Sequence, residues 1–155
     1  MTVIDFYNKW KSTFTFSKDK THLFIIRGLP GSGKSTFCDL LRKDYGMLVL
    51  EPDSFITKAG EYTYSKEKFE EAVFTCSWII YNNIDNMDIC YCDVLPKIND
   101  VRRLTLLLES TPNIRIVVID MPKISKNTSM KRNIHEVREC DIDNMLELWE
   151  DWKTE

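Results

Sequence analysis

A glycine-rich stretch in the first quarter of the chain carries residues whose types and spacing indicate chemistry. It matches the pattern G-x-x-x-x-G-K-[ST] at every fixed position and reads Gly28-Leu29-Pro30-Gly31-Ser32-Gly33-Lys34-Ser35-Thr36. Glycines lack a Cβ, so successive backbone N–H groups can turn toward an anion at the start of a helix. We therefore expect this loop to bind the phosphates of a nucleoside triphosphate.

Two side chains at the end of the loop have specific expected roles. Lys34 is expected to bring a positive charge to the β and γ phosphates, and the Ser35 hydroxyl to hold Mg²⁺. The full set expected to contact the nucleotide is Gly28, Pro30, Gly31, Ser32, Gly33, Lys34, Ser35 and Thr36. The structural alternative is a glycine-rich turn capped by serine, but such a turn has no need for a lysine at this position.

Two aspartates follow predicted strands and are candidates for the same site. Asp53 comes after residues 47–50 and Asp93 ends residues 88–93, and ligands of open parallel sheets lie at the carboxyl ends of strands. Asp53 fits either a general base, or a residue near the metal, or a simple turn residue next to Pro52. Asp93 fits either a carboxylate close to Mg²⁺ or a turn aspartate ahead of Pro96.

The elements around these residues alternate between strand and helix. Residues 22–27 and 114–120 are further strand candidates, 60–64 is a predicted loop, and helices are predicted at 37–41, 65–86, 96–109 and from 141 onward. In the long helix we assign Phe74 and Trp78 to packing, and in the last helix we predict buried positions at Ile142, Met145, Leu146 and Trp149. The fold class is α/β, with a parallel sheet of about four to five strands and flanking helices.

The segment between Met121 and Arg138 is basic and polar. Its cations are Lys123, Lys126, Lys131, Arg132 and Arg138. A segment of this kind could close over phosphates as a lid, and the alternative is a solvated charged surface.

The composition and the N-terminal residues limit which classes of function the protein can have. The formal charge of −3 argues against coating nucleic acid through overall basicity, so any polyanion site must be local. Residues 1–20 lack the apolar stretch of a signal peptide and no segment has membrane-spanning length, so we expect a soluble protein of the cytoplasm or nucleus.

The N-terminal residues predict an amphipathic helix that either packs on the domain or docks a protein partner. Its apolar face consists of Val3, Phe6, Tyr7 and Trp10. The predicted division is an N-terminal helix at 1–20 and a main domain at 21–155.

The five cysteines form an odd set, and four of them occur in apolar patterns without zinc-ligand spacing. We interpret them as buried free thiols. Cys90 and Cys92 lie on one face of a predicted strand, where core packing and a metal or redox role are both possible.

Several motifs together resemble the P-loop kinases of the polynucleotide 5′-hydroxyl kinase type. They are the glycine loop with the preceding Arg27, then Asp53-Ser54-Phe55, then Gly60-Glu61-Tyr62-Thr63-Tyr64, then Lys131-Arg132-Asn133-Ile134-His135-Glu136-Val137 followed by Ile142 and Met145. The resemblance implies a three-layer P-loop NTPase fold with a basic lid, and use of ATP and Mg²⁺. It also implies that Lys34 and Ser35 bind the triphosphate and metal, that Asp53 is the general base, and that Arg132 lies in the lid.

The sequence departs from that family at residues that would contact the acceptor. Ile56 and Glu136 stand where arginines are expected, and Val94 interrupts the usual aspartate-threonine-asparagine run. Three hypotheses remain: a kinase for the 5′-hydroxyl of DNA or RNA, a kinase for a nucleoside or another small alcohol, and a nucleotide-binding module without catalysis.

Overall fold

The computed structural model describes residues 1–58, 61–62, 65–132 and 137–153. Its strands are β1 (Thr21–Arg27), β2 (Leu48–Leu50), β3 (Thr57–Lys58), β4 (Glu61–Tyr62), β5 (Ile89–Asp93) and β6 (Ile114–Asp120). Its α-helices are α1 (Val3–Thr13), α2 (Lys34–Tyr45), α3 (Pro52–Ile56), α4 (Lys66–Asn83), α5 (Ile98–Thr105), α6 (Lys126–Lys131) and α7 (Glu139–Leu148). A short 3₁₀ helix, Leu106–Leu108, follows α5.

Four strands form one parallel sheet in the order β2-β5-β1-β6, which confirms the predicted α/β fold with a parallel sheet. The register puts Arg27 opposite both Asp93 and Asp120. Three charged residues therefore end adjacent strands along the carboxyl edge of the sheet.

Side chains of β1 alternate between two cores, so the domain has three layers. Phe24 and Ile26 pack in one core with Phe37 of α2, whereas Leu23 and Ile25 pack in the other with Cys76 of α4. The helix that follows β1 lies on one face and α5, which follows β5, lies on the other, since Val101 belongs to the second core. Adjacent strands whose helices leave on opposite faces open a crevice at their carboxyl ends, which is where ligands of such sheets bind.

The N-terminal helix packs on the sheet layer, as one of its two predicted roles requires. Tyr7 is buried, and its ring lies 5.2 Å from that of Phe37. Its hydroxyl donates a hydrogen bond to Asp44 at 2.6 Å. Trp10 also contacts Phe37 and Phe24 edge-on. The helix thus extends the aromatic core around α2.

The long helix begins after its N-cap Ser65, as predicted, but ends at Asn83. The assignment of Phe74 and Trp78 to packing is wrong, because these side chains are 71% and 62% exposed. The helix instead buries Ala72, Cys76 and Ile80. Apolar residues occur all around this helix, and the sheet covers only one side of it.

Other local predictions need smaller corrections. The segment predicted as a loop at 60–64 contributes Glu61–Tyr62 to a two-stranded antiparallel pairing with β3, and Gly60, Thr63 and Tyr64 lie outside the described residues. The predicted helix at 96–109 is divided into α5 and the 3₁₀ turn. In α7, Ile142 is buried as predicted, whereas Leu146 is exposed.

The cysteine prediction is confirmed. Cys38, Cys76, Cys90 and Cys92 are buried free thiols, and Cys140 is exposed. The sulfurs of Cys38 and Cys90 lie 3.2 Å apart in the core beneath the glycine loop. Among the described residues, no helix combines the length and apolar character needed to cross a membrane.

Candidate active site

The glycine loop joins β1 to α2 in the geometry that its sequence predicts. Gly31 and Gly33 have φ values of +78° and +93°, which residues with a Cβ rarely adopt. Gly33 is the N-cap of α2, so Lys34 and Ser35 begin the helix. The Lys34 Nζ donates hydrogen bonds to the carbonyl oxygens of Gly28 and Leu29 at 2.9 and 3.0 Å. The ammonium group is thereby held against the loop backbone.

Ser32 supplies an observation that bears directly on ligand binding. Its hydroxyl is buried, and no hydrogen-bond partner for it occurs among the described residues. A Cβ at Gly28 would crowd this hydroxyl and the Met121 Cβ, so the loop packs tightly there. A buried hydroxyl without a partner is costly, and a phosphate oxygen in the loop would satisfy it. The loop therefore fits a phosphate group.

The first turn of α2 is linked to the end of β2 by a hydrogen bond from Ser35 to Glu51, with 3.1 Å between the oxygens. Glu51 was not among the residues predicted for the site, whereas Asp53, two residues later, was. Its position directly after a strand that runs toward the loop was the available signal. The hydroxyl expected to hold Mg²⁺ thus has a carboxylate beside it.

Asp53 and Asp93 both line the cleft above the loop. Asp53 lies in the first turn of α3, and Asp93 ends β5. Burial raises the pKa of Asp93 from 3.8 to about 6, and the nearby charge of Asp53 contributes to the increase. Hydrogen bonds from the Val94 N–H at 2.8 Å and the Tyr91 hydroxyl at 3.1 Å act in the opposite direction. The charge of Asp53 therefore lies close enough to Asp93 to affect its protonation.

The cleft has a volume of about 1310 Å³ and is bounded by the loop, α4, α5 and α7. Its charged lining residues are Lys34, Glu51, Asp53, Glu70, Asp93, Asp100, Arg103, Arg132, Arg138 and Asp141. The prediction that α7 serves only the core is incomplete, because Asn144 and Met145 of this helix also face the cleft. Helical spacing alone could not distinguish a cleft face from a core face.

The predicted lid contacts the glycine loop through α6. Ser129 donates a hydrogen bond to the carbonyl oxygen of Pro30 at 2.6 Å, and Arg132 donates one to that of Gly31 at 3.3 Å. Arg132 therefore lies against the loop, and its role in a lid stays a prediction. Asn133, Ile134, His135 and Glu136 of the same signature lie outside the described residues.

Three other basic residues of this segment, Lys123, Lys126 and Arg138, have acidic partners. Lys126 pairs with Glu139 and Asp143, and Lys123 pairs with Asp151. Arg138 forms two hydrogen bonds with Asp141, and both side chains border the cleft. Much of the positive charge in the segment is thus engaged with α7 and the residues after it, whereas Arg132 joins Lys34 in donating to the loop backbone.

Arg27 is buried and connects distant segments of the chain, which the sequence did not predict. Its guanidinium pairs with Asp120 at 2.9 Å and stacks over Trp149 at 4.5 Å from the ring centroid. It also donates to carbonyl oxygens of Leu95, Pro96 and Glu150. A single side chain therefore joins the strand before the loop to the residues after Asp93 and to the segment after α7.

The oxygen atoms of Ser35, Glu51 and Asp93 fit Mg²⁺ that is bound together with a nucleotide. No group of three or more acidic, histidine or cysteine side chains arranged for a metal occurs in the described part of the chain. Mg²⁺ usually binds one or two protein ligands and completes its shell with phosphate oxygens and water. Ser35 with Glu51 or Asp93 meets that requirement, and these metal roles remain predictions.

Together, the sheet order, the loop and the cleft define the three-layer fold of P-loop kinases. No family model matches the sequence. A gluconokinase from Sinorhizobium meliloti 1021 superposes with a TM-score of 0.56 at 13% identity, over 86% of this chain and 76% of that chain. A sugar kinase from Janibacter sp. HTCC2649 gives a TM-score of 0.57 at 14% identity, over 86% and 80%.

A structure of the Pnkp1/Rnl/Hen1 RNA repair complex gives a TM-score of 0.68 at 17% identity. The match covers 85% of this chain and 45% of that chain, so this chain spans less than half the length of its counterpart. At sequence identities this low, the structural similarity shows a shared fold and no more.

Proposed function

We propose that this protein is a P-loop kinase that transfers the γ-phosphoryl group of ATP to a hydroxyl acceptor. The observation that carries the proposal is the buried Ser32 hydroxyl without a partner, inside a complete phosphate-loop motif and next to a cleft lined by Asp53 and Asp93. The loop supports phosphate binding, and the two carboxylates at neighbouring strand ends support chemistry on the bound nucleotide.

On this proposal the loop and its neighbours hold the nucleotide. Backbone N–H groups of the loop and the Ser32 hydroxyl bind phosphate oxygens, and Lys34 exchanges its carbonyl partners for the β and γ phosphates. Ser35 and Asp93, with Glu51 alongside, hold Mg²⁺ directly or through water. When bound, Mg²⁺ supplies charge neutralisation on the phosphate oxygens. Arg132 adds positive charge from the lid side.

Asp53 is proposed as the general base. The acceptor hydroxyl oxygen forms a bond to the γ phosphorus, the bond from that phosphorus to the β–γ bridging oxygen breaks, and ADP leaves. The carboxylate of Asp53 takes the hydroxyl proton and orients the oxygen for in-line attack. Its place in the cleft, on a helix that begins just after β2, supports this role.

The first candidate acceptor is the 5′-hydroxyl of DNA or RNA. The sequence resemblance supports it, and so does the structural similarity to a chain of an RNA repair complex. On this view Arg103 and Arg132, which both line the cleft, contact polynucleotide phosphates.

The second candidate is a small alcohol, and the charge of the cleft favours it. The carboxylates of Asp53, Glu70, Asp93 and Asp100 line the cleft, where Arg103 is the cation contributed by α5. A negative lining repels a polyanionic acceptor and tolerates an uncharged polyol. The similarity to a gluconokinase and a sugar kinase is consistent with such an acceptor.

Competition kinetics distinguish the two candidates. Steady-state ATP turnover would be measured with 5′-hydroxyl oligonucleotides and with a panel of sugars, polyols and nucleosides. If Arg103→Ala loses turnover with the oligonucleotide and keeps it with the small alcohols, the acceptor is a nucleic acid. Turnover with a small alcohol that excess oligonucleotide leaves unchanged supports the second candidate. Nucleotide binding without turnover on either class would instead indicate a non-catalytic module.

A further inference from the structure

The outer face of α4 carries a row of exposed aromatic side chains. Phe74, Trp78 and Tyr81 are 71%, 62% and 60% exposed. Positions separated by three and four residues lie on one face of a helix, so these rings form a continuous stripe. The opposite face of α4 is buried against the sheet. Single exposed apolar residues are ordinary, but a contiguous row of three large rings marks an interaction surface.

Acidic residues occupy both ends of the stripe. Glu67, Glu70 and Glu71 precede the aromatics on the same face, and Asp85 follows them just after the helix ends. Lys66 and Lys68 of the same turn lie further round the helix, about 80° and 120° from Phe74. The N-terminal acids and Phe74 line a surface depression of about 620 Å³. From Glu67 to Asp85 the surface is about 27 Å long at the helical rise per residue. We call these residues the α4 surface: an aromatic centre between two acidic ends.

The charge pattern argues against two kinds of occupant. Nucleic acid would bring phosphates against carboxylates at both ends. A second copy of the chain, packed through this surface in either direction, would bring acidic ends against acidic ends, because both ends carry the same sign. An occupant with an apolar centre and cationic ends has neither conflict.

We propose that the α4 surface binds a basic amphipathic helix of another protein, with an apolar centre and Lys or Arg residues toward both ends. The rings of Phe74 and Trp78 would cover the apolar centre, and an arginine at its margin could stack on Trp78. Glu70 borders both the depression and the cleft, so a bound helix would lie beside the mouth of the cleft. The proposal rests on the surface alone and is independent of the proposed kinase activity.

Isothermal titration calorimetry with a synthetic probe tests the proposal. The probe is a helical 20-residue peptide with a leucine stripe at its centre and three Lys or Arg residues at each end. A second peptide carries Glu at both ends instead. We expect the basic peptide to bind one to one, and Phe74→Ser/Trp78→Ser to weaken it at least tenfold. Because both side chains are exposed, this variant should keep the native melting temperature.

A charge exchange makes the test specific. Glu71→Lys/Asp85→Lys should weaken the basic peptide at least tenfold and gain binding of the acidic one. The matched control is Leu106→Ser/Glu109→Lys, an exposed apolar and an exposed acidic residue elsewhere, which should change neither affinity.

Three results would overturn the proposal. The first is no binding of the basic peptide to the wild-type chain, or binding that the aromatic variant leaves unchanged. The second is equal weakening by the control variant, which would indicate general charge attraction. The third is a wild-type dimer in sedimentation that Phe74→Ser/Trp78→Ser dissociates, which would make a second copy the occupant.

Discussion

The hydroxyl of Ser35 and the carboxylate of Glu51 are joined by a hydrogen bond of 3.1 Å. The bond connects the first turn of α2 to the end of β2, two elements that flank the cleft. A hydroxyl in this position of the motif is expected to hold Mg²⁺. The carboxylate beside it therefore adds negative charge where a divalent cation would bind.

Glu51→Gln should weaken Mg²⁺ binding without unfolding the protein. The amide still accepts the Ser35 hydrogen bond but lacks the charge that attracts a divalent cation. We expect the Mg²⁺ concentration for half-maximal ATP binding to rise about tenfold, a change of about 1.4 kcal/mol. Fluorescent-nucleotide titrations at several Mg²⁺ concentrations measure it. Glu109→Gln, an exposed residue outside the cleft lining, is the control, and an unchanged Mg²⁺ dependence in Glu51→Gln would remove Glu51 from the site.

Asp93→Asn should stabilise the protein at neutral pH in the absence of nucleotide. The pKa of Asp93 is raised from 3.8 to about 6, so the folded protein holds this proton more tightly than the unfolded chain does. The contribution of Asp93 to the free energy of unfolding therefore falls as the pH rises through this interval. Asparagine has no charge to desolvate, and we expect a gain of about 1–2 kcal/mol at about pH 7 and none near pH 4.

Urea denaturation of wild type and Asp93→Asn across that pH interval checks this prediction. Asp143→Asn, at an exposed residue of α7, provides the comparison for a surface carboxylate. A variant less stable than wild type at neutral pH would show that the hydrogen bonds to the carboxylate outweigh its burial.

Arg27→Met should be among the most destabilising single substitutions. Arg27 is fully buried, and its loss removes the ion-pair partner of Asp120 and the side-chain donor to the carbonyl oxygens of Leu95 and Glu150. Asp120 and the Pro96 carbonyl keep the backbone N–H groups of Trp152 and Glu150 as donors. Removing one partner of a buried ion pair costs about 3–5 kcal/mol. Arg42→Met removes an exposed pair with Asp39 and should cost less than about 0.5 kcal/mol. Chemical denaturation of both variants gives the comparison, and similar losses would contradict the assigned importance of burial.

Helix α1 should contribute to the stability of the whole domain. A Cβ at Gly33 would collide with a Val3 methyl group, so this helix approaches the glycine loop itself. Trp10→Ala should lower the free energy of unfolding by about 3 kcal/mol, since the ring packs between Phe24 and Phe37. Ile4→Ala, at a residue that is 57% exposed on the same helix, should have little effect. If the two substitutions change the free energy of unfolding equally, residues 1–20 form a separate unit, as the predicted division into 1–20 and 21–155 states.

Much of the fold could be predicted because the relevant patterns are local. The apolar run of β1, the glycine loop and the glycine after α2 each act over a few residues, and Gly46 ends that helix with a φ of +66°. The parallel sheet followed from the alternation of strands with helices. Asp53 and Asp93 could be expected in one cleft because parallel strands end at a common edge.

Other features depend on contacts between residues far apart in the sequence. Arg27 bonds to Glu150, and no local pattern indicates a buried arginine between apolar residues. Helix α4 is apolar on more than one side, so the sequence could not show that Phe74 and Trp78 face outward while Cys76 faces the sheet. The Ser35–Glu51 bond likewise joins two elements that only the folded chain brings together.

The most direct test of the account is transfer of labelled γ-phosphate from ATP with Mg²⁺ to hydroxyl acceptors, using 5′-hydroxyl DNA and RNA oligonucleotides alongside small alcohols. The account predicts transfer to one acceptor class by the wild-type protein. Lys34→Ala should reduce it about 100-fold or more, and Asp53→Asn should reduce it about 100-fold or more with ATP affinity retained. Lys43→Ala, at an exposed lysine outside the cleft lining, should leave it unchanged. Full transfer by Lys34→Ala or Asp53→Asn, or bound ATP with no transfer to any acceptor, would contradict it.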